Sequence, residues 1–272
     1  MNKEYIIRNL RAILGRAYPR IIAANREYSW IIADIILPLL SVIAYGTLYK
    51  FLGASKDFLG FAVLGGAMSA FWLNVLWDMA SQLYWEKMSG NLQLYILSPI
   101  SLVSILLGMS IGGMFATSLR AAATLIVGTL IFKLDFSLIN ITQLLLVFFL
   151  TLAALYGLGM MLASLYLIWG REAWHLSEFF QEPVYLVSGM YFPVKFLGKV
   201  GFFSSLIPLT VGLDGLRQLL FKEGATFGFL SVNIEILILI ILTVFYAILA
   251  IYYLKKMEYL ARKEGKLTIR WE

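Results

Sequence analysis

Polar residues are sparse in this chain, and their positions divide it. Apolar runs at about 30–49, 58–83, 102–132, 141–169 and 227–254 are each long enough to cross a hydrocarbon layer about 30 Å thick as a helix. Trp30 and Tyr49 sit at the ends of the first run, where interfacial aromatics belong. Tyr84 to Ser101 is the one sizeable polar interruption in the first two-thirds, and it reads as a short amphipathic helical piece between two spans. Residues 1–29 read as an amphipathic helix on the membrane surface. There Ile6, Ile7, Leu10, Ile13 and Leu14 recur at helical spacing with arginines between them, and Pro19 is expected to break or kink it. After a tight turn at Trp169-Gly170-Arg171-Glu172, an apolar run too short for an easy span is cut by Gly189, Pro193, Gly198, Gly201 and Pro208. This punctuation predicts a short fifth span followed by a re-entrant hairpin over about 190–220, with 214–222 as a surface helix.

The expectation is an all-α integral membrane protein with six transmembrane helices over 30–254 and a polar tail at 255–272. Composition agrees: 61% of residues are hydrophobic, 14% are charged, and the mean hydropathy is +0.83. Soluble domains carry about a quarter charged residues. Under six spans, the two chain ends share one side and hold twelve of the 22 Lys and Arg, against seven on the other side. By the positive-inside bias both termini and the 84–101 piece are cytoplasmic, which places the hairpin outside the cell and the protein in the cell membrane as a multi-pass chain. The net charge of +6 is read as that bias and not as a nucleic-acid partner. The absence of cysteine excludes thiol chemistry.

Catalytic patterns are missing. There is no phosphate-cradling G-x-x-x-x-G-K-[ST], no H-E-x-x-H and no G-x-S-x-G. His175, Glu178 and Glu182 share a helical face, but a single histidine near a membrane boundary reads as an ion-paired helix start, and no metal site is expected. Arg120 lies well inside the third span, where an arginine costs about 2.5–3.5 kcal/mol on insertion scales, so it must face protein or water. Holding carbonyls or an acid of another helix is its expected task, with contact to cargo as the alternative. An ion-coupled carrier or channel would need further mid-depth ionisable groups. That class and a non-transporting membrane scaffold are both left open by these residues.

Two blocks carry a family resemblance. Glu86, Gly90, Asn91-Leu92 and Ser98-Pro99 form the first; Ser188-Gly189-Met190-Tyr191-Phe192-Pro193-Val194, followed by Pro208-Leu209-Thr210 and Gly215-Leu216-Arg217, forms the second. In order and spacing they resemble the type-2 ABC exporter permeases, most of all the daunorubicin-resistance-like branch, with a weaker likeness to polysaccharide and teichoic-acid exporter permeases. Asn91 and Gln93 depart from the Thr and acid common there. The resemblance implies a transport subunit without enzymatic activity of its own, exporting a drug, lipid or lipid-linked glycan. It also implies two separate ABC ATPase subunits that bind ATP and Mg, and a second permease copy, identical in preference to different. A coupling helix at about 84–98 would dock on the ATPase through Glu86, Gly90, Asn91, Leu92 and Leu94, with Ser98 and Pro99 as the transmitting joint. The substrate path would be lined by Tyr45, Trp72, Arg120, Tyr185, Met190, Tyr191 and Phe192, because aromatic and Met surfaces suit amphipathic cargo.

Overall fold

In the computed structural model, residues 3–24, 26 and 28–265 are described, without the side chains of Tyr28 and Trp30. The interfacial role expected of Trp30 and the tail beyond 265 lie outside that set. Among the described residues every regular element is helical: α1 Lys3–Ala24, α2 Tyr28–Phe51, α3 Lys56–Leu73, α4 Gln82–Met88, α5 Asn91–Leu97, α6 Leu102–Phe132, α7 Ile141–Trp169, α8 Trp174–Val187, α9 Lys199–Ser204, α10 Pro208–Leu220, α11 Gly224–Phe227 and α12 Val232–Lys263.

Five helical stretches are long and apolar enough to cross a membrane: Ile31–Phe51, Lys56–Met88, Leu102–Phe132, Ile141–Val187 and Val232–Lys263. The segment expected to form a fifth span is α8, 14 residues or about 21 Å long, which continues α7 through a 3-10 turn at Gly170–Ala173 within the Ile141–Val187 stretch. It returns beside α3, where Ser177 donates to the Leu76 carbonyl and the Met190 carbonyl lies against Gly65.

α3 is the centre of the fold. Every residue from Leu59 to Trp72 is buried, because Gly60, Gly65, Gly66 and Ala70 leave room for neighbours on all sides. α3 continues into a π-helical turn, Asn74–Met79, closed by Ala80 N–H donating to the Val75 carbonyl at 3.0 Å. Such turns are frequent at functional positions. α7 and α12 lie side by side and run in the same direction, matched by Gln143 with Asn233, Leu150 with Thr243, and Gly157 with Tyr246.

Two parts of the sequence expectation are corrected here. Pro19 does not interrupt α1, which runs lengthwise along the first half of α6. Asn9 accepts hydrogen bonds from Ser101 N–H (2.9 Å) and Ser104 Oγ (2.8 Å), and the Ile13 and Ala17 carbonyls approach Gly108 and Gly112. The helix turns its small and polar side to the protein, while Leu10, Leu14 and Tyr18 point outward. A Cβ on Gly112 would stand 2.7 Å from Arg20 Cβ and 2.8 Å from the Ala17 carbonyl. Gly112→Leu is therefore expected to lever α1 off α6 and to cost about 1–3 kcal/mol, read as a lowered Tm in detergent together with faster proteolysis within α1.

The second correction concerns α10. Expected as a surface helix, it is buried from Pro208 to Leu219. Gly212 and Gly215 let it close on Thr151 and Val147 of α7, and its polar side chains find partners inside the protein.

Candidate functional site

Two regions draw functional side chains together, one at each end of α3. At the α4–α5 end, the expected single coupling helix is two short helices. Gly90 separates them in the left-handed conformation at φ +78, a backbone state that favours glycine. Ser98 follows α5 in extended conformation, with its Oγ donating to the Tyr95 carbonyl at 2.7 Å, and Pro99 leads into α6.

The carboxylate of Glu86 anchors this wedge. Glu86 is 4% exposed, ion-paired with Arg16 of α1, and accepts hydrogen bonds from Tyr95 Oη (3.0 Å) and Gln82 Nε2 (3.2 Å). Arg16 also lies 5.4 Å from the Tyr95 ring centroid, within cation–π range. Burial pushes the Tyr95 phenol above its ordinary 10, against the pull of Arg16. One buried carboxylate thus ties α1, α4 and α5 together.

Leu92 faces inward, fully buried. Trp85, Met88, Leu94 and Leu97 face outward, with Leu97 83% exposed. Asn91 Nδ2 donates to Ser89 Oγ beside the Gly90 turn. Of the residues singled out in the sequence, Glu86 and Leu92 hold the wedge, while Leu94 lies on its open apolar surface.

At the other end, the Met190–Pro193 turn is held by Arg217 of α10. Its guanidinium donates to the carbonyls of Met190 (2.7 Å), Phe192 (2.9 Å) and Phe61 (3.3 Å) and lies over the Phe61 ring. Burial lowers its pKa to about 10, so it stays a cation near neutral pH, with Asp214 supporting the charge. The Tyr45 and Tyr191 rings stack at 4.1 Å, and Tyr49 Oη donates to the Tyr191 carbonyl at 2.9 Å. Burial raises the Tyr191 phenol as well. Beneath the turn, Gln218 Nε2 donates to Asp214, to Glu235 and to the Leu230 carbonyl, which joins α10 to the start of α12.

The seven residues expected along a substrate path are not one surface. Tyr45 stacks on Tyr191, and Tyr185 lies within electrostatic reach of the latter. Met190 is fully buried, and Met190 and Phe192 offer their carbonyls to Arg217. Trp72 is 2% exposed in the interior. Arg120 pairs with Asp34 of α2 and donates to the Ala24 carbonyl at 3.1 Å, capping the C-terminal end of α1. His175 and Glu178 form an exposed contact at 3.4 Å.

Sequence reasoning missed the tasks of Arg16 and Arg217. For Arg217 a signal exists: Asp214, Arg217 and Gln218 make a polar stripe at spacings of three and four on an otherwise apolar helix, a pattern that also fits partners inside the fold. For Arg16 nothing separates it from the other arginines of α1. The sequence profile described as ABC-2 type transporter matches residues 10–221, from α1 through the end of α10. No curated protein matches the chain.

Proposed function

We propose, from the premise that the chain belongs to the ABC-2 type transporter family and is a multi-pass membrane subunit of an ABC transporter, that it exports a lipophilic or amphipathic molecule with ATP hydrolysed on two separate ATPase subunits. In this reading the permease works as a dimer, most simply of two identical chains. Six spans carry the path, with α8 as the short fifth, and both termini and the α4–α5 wedge lie in the cytoplasm. The Met190–Leu220 region then forms the outer hairpin. ATP and Mg belong to the partner and not to this chain.

The observation that carries the reading is the wedge itself. It presents Trp85, Met88, Leu94 and Leu97 to the outside while Glu86 fastens its inner side to α1. An apolar helix face of this kind docks in a partner's groove, and the Ser98-Pro99 joint with its fixed φ passes motion into α6. The test is reconstitution with the ATPase in lipid, with hydrolysis and export followed over drugs, lipids and lipid-linked glycans. Gly90→Pro sharpens it. Proline cannot adopt φ +78, so the wedge refolds locally while the spans stay intact. ATP hydrolysis is expected to continue with export largely lost, and export at the unmodified rate would remove the wedge from the mechanism.

A further inference from the structure

α12 changes character at Leu254. Its apolar run ends there, and Lys255, Lys256, Glu258, Arg262 and Lys263 follow in its last turns. At this level α12 faces α5 and the start of α6 across a cavity of about 150 Å³. A single water needs only ~10–15 Å³ of such space, so the cavity has room for a larger group.

Its walls differ in kind. Ile96 of α5, Ile100 before α6 and Leu254 of α12 are apolar. Lys255, Glu258 and Arg262 share one face of α12 at spacings of three and four and make the other side charged. Arg262 Nη2 donates to Glu258 Oε1 at 2.6 Å, so these two charges match each other. Lys255 is exposed and has no ion-pair partner among the described residues. The cavity is thus left with one positive charge in excess. Lys256, one position along, lies instead over the Tyr252 ring, 5.8 Å from its centroid. A small anion would use the lysine and leave the apolar wall idle. A hydrocarbon chain would do the reverse. A phospholipid uses both, and the cavity lies where α12 passes from apolar to charged residues, the level at which headgroups sit.

We propose that this cavity holds an anionic phospholipid, with the headgroup phosphodiester against Lys255 and the first acyl carbons along Ile96, Ile100 and Leu254. A zwitterionic headgroup brings an ammonium of its own, which Lys255 repels, so an anionic lipid is preferred. Bound there, the lipid bridges α12 to the joint between α5 and α6. The inference goes beyond export and rests only on the chain being a membrane protein.

The experiment is native mass spectrometry of the full-length permease in detergent, titrated with phosphatidylglycerol, phosphatidylcholine or inorganic phosphate at equal concentrations. Retained phosphatidylglycerol is expected, held about tenfold more tightly than phosphatidylcholine. Lys255→Ala is expected to erase that preference, whereas Lys256→Ala leaves it in place. Ile100→Trp, which fills the cavity without altering charge, is expected to weaken phosphatidylglycerol binding about tenfold and decides the matter if Lys255→Ala fails to fold. Equal loss in Lys256→Ala would reduce the effect to diffuse attraction by the basic end of α12 and overturn the site. So would equal retention of the two lipids, or phosphatidylglycerol binding indifferent to Lys255→Ala and Ile100→Trp in folded protein. Displacement of phosphatidylglycerol by inorganic phosphate at equal concentration would assign the cavity to a free anion and overturn the lipid.

Discussion

Arg217→Leu is expected to give a protein that barely survives extraction. The turn carbonyls of Met190 and Phe192 would lose the guanidinium as donor, the Phe61 carbonyl would keep only its place in the α3 ladder, and Asp214 would lose a neighbouring positive charge. Each unmet buried acceptor costs about 1–3 kcal/mol. Together these losses take a large share of the roughly 5–15 kcal/mol that stabilises an ordinary domain. The expected readout is a Tm lowered by well over 10 °C in detergent, with the Met190–Pro193 turn opened to protease. Arg217→Lys is expected to fall between, since one ammonium cannot reach two carbonyl directions as the planar guanidinium fork does. An unchanged Tm in Arg217→Leu would show that the turn is held by something else.

The second large effect concerns association and leaves stability alone. Leu94 and Leu97 are 65% and 83% exposed on the α5 side of the wedge. Replacing both with glutamate removes little from the interior, so the Tm is expected to move by less than a few degrees. A docking groove that receives an apolar helix face would then have to bury two carboxylates without partners, a penalty of several kcal/mol. Co-purification of the ATPase is expected to drop at least a hundredfold in the Leu94→Glu, Leu97→Glu variant. Normal recovery of the complex would place the docking surface elsewhere.

How much of this was legible in the sequence depends on where each residue finds its partners. The long apolar helices could be read because their burial by lipid or protein needs only local composition. The burial of α10 could not be read locally, since Asp214, Arg217 and Gln218 look like a surface stripe until Met190, Phe61 and Glu235 are brought beside them. The break in the wedge was foreshadowed by Gly90, but only its positive φ separates two helices from one. Arg120 was legible in kind, as an arginine needing an acid or carbonyls. The identity of Asp34 and Ala24 required the three-dimensional packing of α1 and α2 on α6. Among the expected path residues, Tyr45 and Tyr191 meet across 146 positions, and Trp72 is in the interior. Aromatic content alone does not distinguish these fates.

The measurement that tests the central claim most directly exploits a chain without cysteine. A single thiol introduced as Leu97→Cys, at the most exposed apolar position of the wedge, can be joined by a short bismaleimide to cysteines placed around the ATPase groove. The account predicts one dominant cross-linked pair whose yield changes when ATP is bound and trapped. A Leu97→Cys permease that forms no cross-link to the ATPase, in a complex that still couples hydrolysis to export, would contradict it.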